Sequence, residues 1–265
     1  MWFEQSIEMR LLSNVTRSAD GCAFFLAQAA EAEAAGEALV FKRLEDHAPD
    51  KLKRLIKHHH DDERRHAALL RDAALGCGSA WPVLSPELNM VHVLDRALGG
   101  HLLSGPIRSD RAAIEIYLIM EMLERRAARE LGLLAGALAR AGRPEHVMLN
   151  CVQVDEERHV LYCRAALRLY GHQPSDKHCK PSGVERELRA EVARAFGLYD
   201  HSTLNHLLET GLLGVDLSRL ERFAWRAVAQ GLALKVGLGR LRTRGRKPSP
   251  PEREASGKER ACSKA

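Results

Sequence analysis

Two short stretches of this sequence carry residue types that bind metal ions. Asp62-Glu63-Arg64-Arg65-His66 and Asp155-Glu156-Glu157-Arg158-His159 each hold a glutamate and a histidine three residues apart. On a helix, residues at that spacing leave the same face. Each stretch can therefore offer one cation a carboxylate oxygen and an imidazole nitrogen. With 23 Glu and 13 His among 265 residues, about one such pair is expected by chance. Two copies inside an internal repeat carry more weight. At a constant offset of 93, Asp62, Glu63, Arg65, His66, Arg71 and Ala73 match Asp155, Glu156, Arg158, His159, Arg164 and Ala166 without a gap. A repeated half-site is what a symmetric two-metal centre requires. The competing reading is a pair of solvated helix faces laced with i,i+4 ion pairs.

The elements that must position these residues follow from apolar periodicity and from Gly and Pro punctuation. The pattern predicts long helices over 18–46, 49–75, 110–141 and 144–170. Tight turns lie near 48 and 142, and a long connection over 76–109 contains a short helix near 86–98. Two hairpins joined by one long crossover have ferritin-like four-helix connectivity. A two-metal site in such a bundle also needs a carboxylate from the first helix and one from the third. Counting back from the first turn by the distance to Glu63 reaches Glu33, with Glu37 next. The same count for the second hairpin falls between Glu124 and Glu130. The count favours Glu33, and the apolar stripe of Met120, Ala127 and Leu131 around Glu124 favours that residue; Glu37 and Glu130 stay open.

On these motifs, over about residues 18–170, the chain resembles the ferritin-like di-iron carboxylate superfamily of rubrerythrins and di-iron hydroxylases. The resemblance implies an all-α bundle holding two Fe ions, or Mn. It implies that Glu63 and Glu156 bridge the metals, that His66 and His159 each bind one, and that the first- and third-helix glutamates are terminal ligands. The activity it implies is a di-iron oxidoreductase that uses dioxygen or peroxide to oxidise, in the favoured form hydroxylate, a small organic substrate with an external electron donor. Ferroxidase or iron-handling activity, peroxide scavenging and a metal-free helical scaffold are the alternatives. Apart from the metal ligands, no separate catalytic acid or base stands out.

Composition agrees with a folded helical chain: 45% hydrophobic, 28% charged and 5% aromatic residues, with a net charge of +5. No uncharged apolar run reaches membrane-spanning length, and no secretory signal is evident, so the expected compartment is the cytoplasm. Six cysteines without a CxxC pair argue against a zinc ribbon or a rubredoxin-type iron module. The expected organisation is a lead-in over 1–17, the di-metal bundle over 18–170 and a linker over 171–183. A C-terminal helical region follows over 184–242, then a basic tail over 243–265 that is expected to be disordered. The excess positive charge lies after Lys235, which makes that region a candidate contact for RNA, a membrane surface or a protein. A homo-oligomer is also compatible with the sequence.

Weaker signals complete the reading. His59 shares the face of Glu63 and His66, either as an extra ligand or as part of a surface histidine run. Asp62 and Asp155 could orient the histidines. Tyr117 fits core packing better than a proton or radical role. The amphipathic stretch over 217–241 fits packing on its own bundle better than a membrane surface.

Overall fold

The computed structural model describes residues 2–36, 40–100, 105–173, 183–213 and 219–244. Glu37, the middle of the expected linker and nearly all of the expected tail lie outside the described residues. Described residues form α-helices, one short 3-10 turn and no strand. The helices are α1 (Trp2–Val15), α2 (Ala19–Gly36), α3 (Lys42–His47), α4 (Asp50–Gly76), α5 (Met90–Ala97), α6 (Asp110–Arg140), α7 (Glu145–Leu169), α8 (Gly183–Thr210) and α9 (Arg219–Arg244).

Local chemistry sets the boundaries. Pro49 precedes α4, and Asp50 places negative charge on its first turn. Ser109 caps α6 by accepting from the Ala112 N–H. Asn89 caps α5 and also donates through Nδ2 to the Glu31 carbonyl, which ties the crossover to α2. Gly142, at φ +68°, lets the chain reverse between α6 and α7. There the Arg143 N–H reaches the Leu138 carbonyl and the Gly142 N–H reaches that of Ala139.

Of the helix expected over 18–46, α2 covers the part to Gly36, and Val40 and Phe41 form a π-helical turn that leads directly into α3; residues 37–39 lie outside the described residues. The expected lead-in is itself a helix, α1, packed against α6.

Helix α2 packs on α4, and α6 packs on α7. Both pairs are antiparallel. Cys22 at the start of α2 meets Cys77 just after α4, and Tyr117 early in α6 meets Tyr162 late in α7. The two pairs join where α4 crosses α7. There the offset-93 repeat becomes a reciprocal contact: Arg65 bonds Asp155 and Arg158 bonds Asp62, both at 2.8 Å.

The buried faces of α4 and α7 each read apolar, polar, apolar. In α4 the buried series is Leu52, Ile56, His59, Glu63, His66, Leu70 and Ala74. In α7 it includes Leu149, Val152, Glu156, His159, Cys163 and Ala166. Two apolar clusters result. One joins Leu26, Leu70, Leu138 and Leu149, and the other joins Leu44, Ile56, Leu118 and Leu167. The acidic and histidine side chains lie in the layer between them.

Helices α8 and α9 pack on each other, and α8 also packs on α5 and α6. A third cluster holds Phe24, Leu88, Leu204, Leu207 and Trp225, so α9 packs on its own protein, as its amphipathic pattern suggested. Glu121, fully buried on α6, binds Arg125, Arg164 of α7 and Arg189 of α8. That ion cluster fixes α8 to the second hairpin. No described helix is long and apolar enough to cross a membrane.

The corner between α1 and α2 is tight. A Cβ at Gly21 would stand 2.1 Å from the Val15 carbonyl oxygen, whereas one at Gly76 would meet nothing within 4 Å. Gly21→Ala should therefore destabilise the fold by about 1–3 kcal/mol, and Gly76→Ala should stabilise it by about 0.4–1 kcal/mol. Paired urea denaturation curves check both signs.

Candidate metal centre

Seven side chains from four helices converge in the polar layer. One group consists of Glu33, Glu63, His66 and Glu156, and the other of His59, Glu63, Glu124 and His159. Within each group, one potential ligand atom per residue lies within 4.8 Å of all the others. Glu63 belongs to both. Its Oε1 is 2.9 Å from His59 Nε2 and 3.1 Å from His159 Nδ1. Glu156 also spans the two groups, with Oε1 2.9 Å from His66 Nδ1 and Oε2 3.4 Å from His159 Nδ1. Glu124 closes the second group, 3.2 Å from His59 Nε2.

The orientation of these atoms is as informative as their proximity. His59 Nε2, Glu63 Oε1, His66 Nδ1 and Glu156 Oε1 are buried and, despite the short separations, take part in no hydrogen bond of acceptable geometry. Buried polar atoms are seldom left so. Polar atoms this close and without hydrogen-bond partners leave donor capacity that a cation could use. The outer nitrogens behave differently. His66 Nε2 bonds Asp155 at 3.2 Å, and His159 Nε2 bonds Asp62 at 3.4 Å. With Nε2–H donating to the aspartate, each ring keeps an Nδ1 lone pair facing inward, the tautomer a metal ligand needs. Each aspartate serves the histidine of the opposite helix, and Arg65 and Arg158 brace the aspartates in turn. The donor set of carboxylate and imidazole fits divalent first-row metals, Fe and Mn among them.

The charge state follows from this crowding. Burial pushes the Glu33 carboxyl well above its usual range, and the negative charges of Glu63 and Glu156 push it further. Burial, then Glu63, raises Glu156 to about 7. Burial is the largest influence on Glu124 and opposes its ionisation, but the charge of His59 and hydrogen bonds from the His159 and His59 rings together outweigh it and hold the carboxyl at about 2. For Glu63, the nearby Glu33 carboxyl and the His159 and His59 rings likewise overcome burial and lower it well below the ordinary value. For His59, burial would disfavour the cation, yet Glu124 and Glu63 lift it to about 9. His66 and His159 shift upward for the same kind of reason. Without a cation, the cluster must therefore retain protons.

Of the candidates read from the sequence, Glu33, Glu63, His66, Glu124, Glu156 and His159 come together here. Glu130 does not: its carboxylate pairs with Arg126 at 2.6 Å. Glu37 lies outside the described residues. His59 is 2% exposed, so it belongs to the cluster and not to a surface run. The signal was its place on the stripe Leu52, Ile56, His59, Glu63, His66. Sequence reasoning did not single out Tyr162. Its ring packs edge-on against His59 at 5.2 Å, and its hydroxyl bonds Tyr117 at 3.1 Å. Tyr117 is thus a fully buried core residue linked to the cluster through Tyr162. Phe41, in the π-helical turn, packs against the other side of His59 at 4.6 Å.

Comparison of the chain with protein-family models, curated proteins and solved structures returns no match.

The shifted groups make metal-free stability depend on pH. Glu156 rises from 4.5 to about 7 on folding, so its contribution is full below pH 4.5 and lost as pH climbs through about 7. His59 rises from 6.5 to about 9, so its contribution is lost between those values. Glu124 falls from 4.5 to about 2 and contributes fully only above 4.5, losing its effect as pH falls through about 2. Chelator-treated protein should therefore lose stability from pH 4.5 to 9. Glu156→Gln should remove its own share of the loss below pH 7, leaving that of Glu33, and keep the part above it. Denaturation midpoints across that range check the assignment; equal midpoints for the two proteins between pH 4.5 and 7 would overturn it.

Proposed function

We propose that the chain is a ferritin-like di-iron oxidoreductase that uses dioxygen or peroxide to oxidise an organic substrate. The single observation that carries this reading is the pair of four-residue groups sharing Glu63, with inward-facing polar atoms that no hydrogen bond satisfies. The two antiparallel hairpins, α2–α4 and α6–α7, are the scaffold on which such a centre is built. Glu33, Glu63, His66 and Glu156 would hold one ion, and His59, Glu63, Glu124 and His159 the other, Glu63 being common to both groups. The first group has one histidine and the second has two, so the two positions are inequivalent.

When bound, two iron (or manganese) ions supply redox chemistry toward dioxygen or peroxide. The chain's own groups supply the rest. Asp62 and Asp155 hold the imidazole tautomers, and the apolar layers on either side keep bulk water out. Glu33 and Glu156, whose ordinary carboxylate acidity is suppressed, release protons when a cation arrives. Hydroxylation of a C–H bond by dioxygen consumes two electrons and two protons from an external donor, and the second oxygen atom leaves as water. The cavity beside Glu33, Glu63 and Glu124 favours an organic substrate over simple iron oxidation.

Anaerobic Fe(II) loading followed by elemental analysis tests the reading. The wild-type chain should retain about two irons, and Glu63→Ala should lose both. Asp62→Ala and Asp155→Ala should keep the fold and weaken metal affinity about 10–100-fold. No retained iron, or retention unchanged by Glu63→Ala, overturns the di-metal reading and favours a helical scaffold. Catalytic consumption of Fe(II) and oxygen with no organic substrate favours a ferroxidase.

A further inference from the structure

The C-terminal helices close a cavity that opens onto the carboxylates. A space of about 770 Å³ lies between α2 and α6 and is covered by residues of α1, α8 and α9. It falls within the range of roughly 300–1,000 Å³ typical of small-molecule sites. At one end stand Glu33, Glu63 and Glu124. At the other are Phe25, Leu134, Leu204 and Trp225. Phe25 and Glu33 are eight residues apart on one helix, so the space extends about 12 Å away from the metal ligands at 1.5 Å per residue. Its width comes from small side chains on the facing helices, Ala29 and Ala32 on α2 and Ala127 on α6.

Beyond the glutamates at its end, the charged groups on its wall are already in ion pairs. Arg126 binds Glu130 and Asp200, and Arg129 binds Glu8. Gln28 donates to the Leu88 carbonyl and to Thr203 Oγ1. An anionic headgroup would have to break one of these pairs and lie near the glutamates, while a cationic one would leave its water shell for a largely apolar shaft. The remaining surface suits hydrocarbon.

We propose that this cavity binds an uncharged lipophilic molecule, an extended chain or a flat ring system, whose reactive end lies against Glu33 and Glu124 and whose apolar body runs toward Trp225. As an assignment of substrate class it rests on the di-iron reading; as a binding site it does not. Helices α8 and α9 then form the cover of the substrate chamber.

Dodecan-1-ol serves as the probe, titrated into the full chain with and without iron and followed by calorimetry and by tryptophan fluorescence. One alcohol per chain should bind saturably. Dodecanoate and dodecylammonium should bind at least tenfold more weakly. Ala29→Trp, which fills the shaft away from the ligands, should weaken alcohol binding at least tenfold with iron content unchanged; Ala127→Leu is a milder filling should the first variant misfold. Absence of saturable binding, equal affinity for dodecanoate, or no effect of a folded filling variant overturns the proposal. Iron retention without alcohol binding removes the lipophile site and keeps the di-metal centre. Alcohol binding by a chain that takes up no iron keeps the site and removes its role in oxidation.

Discussion

Four glutamates and three histidines share one buried layer, and that concentration of charge is the constraint around which the rest of the molecule is arranged. Carboxylates this close cannot all ionise without a counter-charge. The chain meets the requirement with protons on Glu33, Glu156 and the histidines, and two divalent cations would meet it better. Buried charges of this kind destabilise a fold unless they are compensated. The apolar clusters above and below the layer supply the cohesion that keeps it closed.

The pseudo-twofold character is the second organising feature. Asp62 serves His159 while Asp155 serves His66, and Arg65 and Arg158 brace the same aspartates across the α4–α7 crossing. One arrangement is used twice, so the inward geometry of each histidine depends on the opposite hairpin. The symmetry is then broken by His59 on α4. The corresponding position on α7, at the same offset of 93, is Val152, which belongs to an apolar cluster. Inequivalent positions are an advantage where one holds its ion firmly and the other leaves coordination free for reaction.

The elements outside the two hairpins enclose the cavity beside the carboxylates. Helices α1, α8 and α9 cover the gap between α2 and α6, and charged pairs such as Arg126–Asp200 and Arg129–Glu8 fasten the cover at its margin. The Glu121 cluster anchors α8 more deeply, through arginines of three helices.

The sequence by itself determined the helices, because 3.6-residue periodicity and Gly, Pro, Ser and Asn punctuation act locally. It also determined the two Glu-x-x-His pairs, because i,i+3 spacing fixes a shared face whatever surrounds it. Only the tertiary structure decided the rest. Glu124 and Glu130 both touch the α6 stripe, and the choice fell to Arg126 and Asp200, which occupy the Glu130 side. His59 read more readily as part of a surface histidine run until α6 and α7 closed over it. Asp62 and Asp155 could be assigned to histidines only once the hairpins crossed, since each partner lies about ninety residues away. The cavity had no local signature at all. It arises where small residues on α2 face α6 across a gap that distant helices cover, and such a volume belongs to the packing of the whole chain.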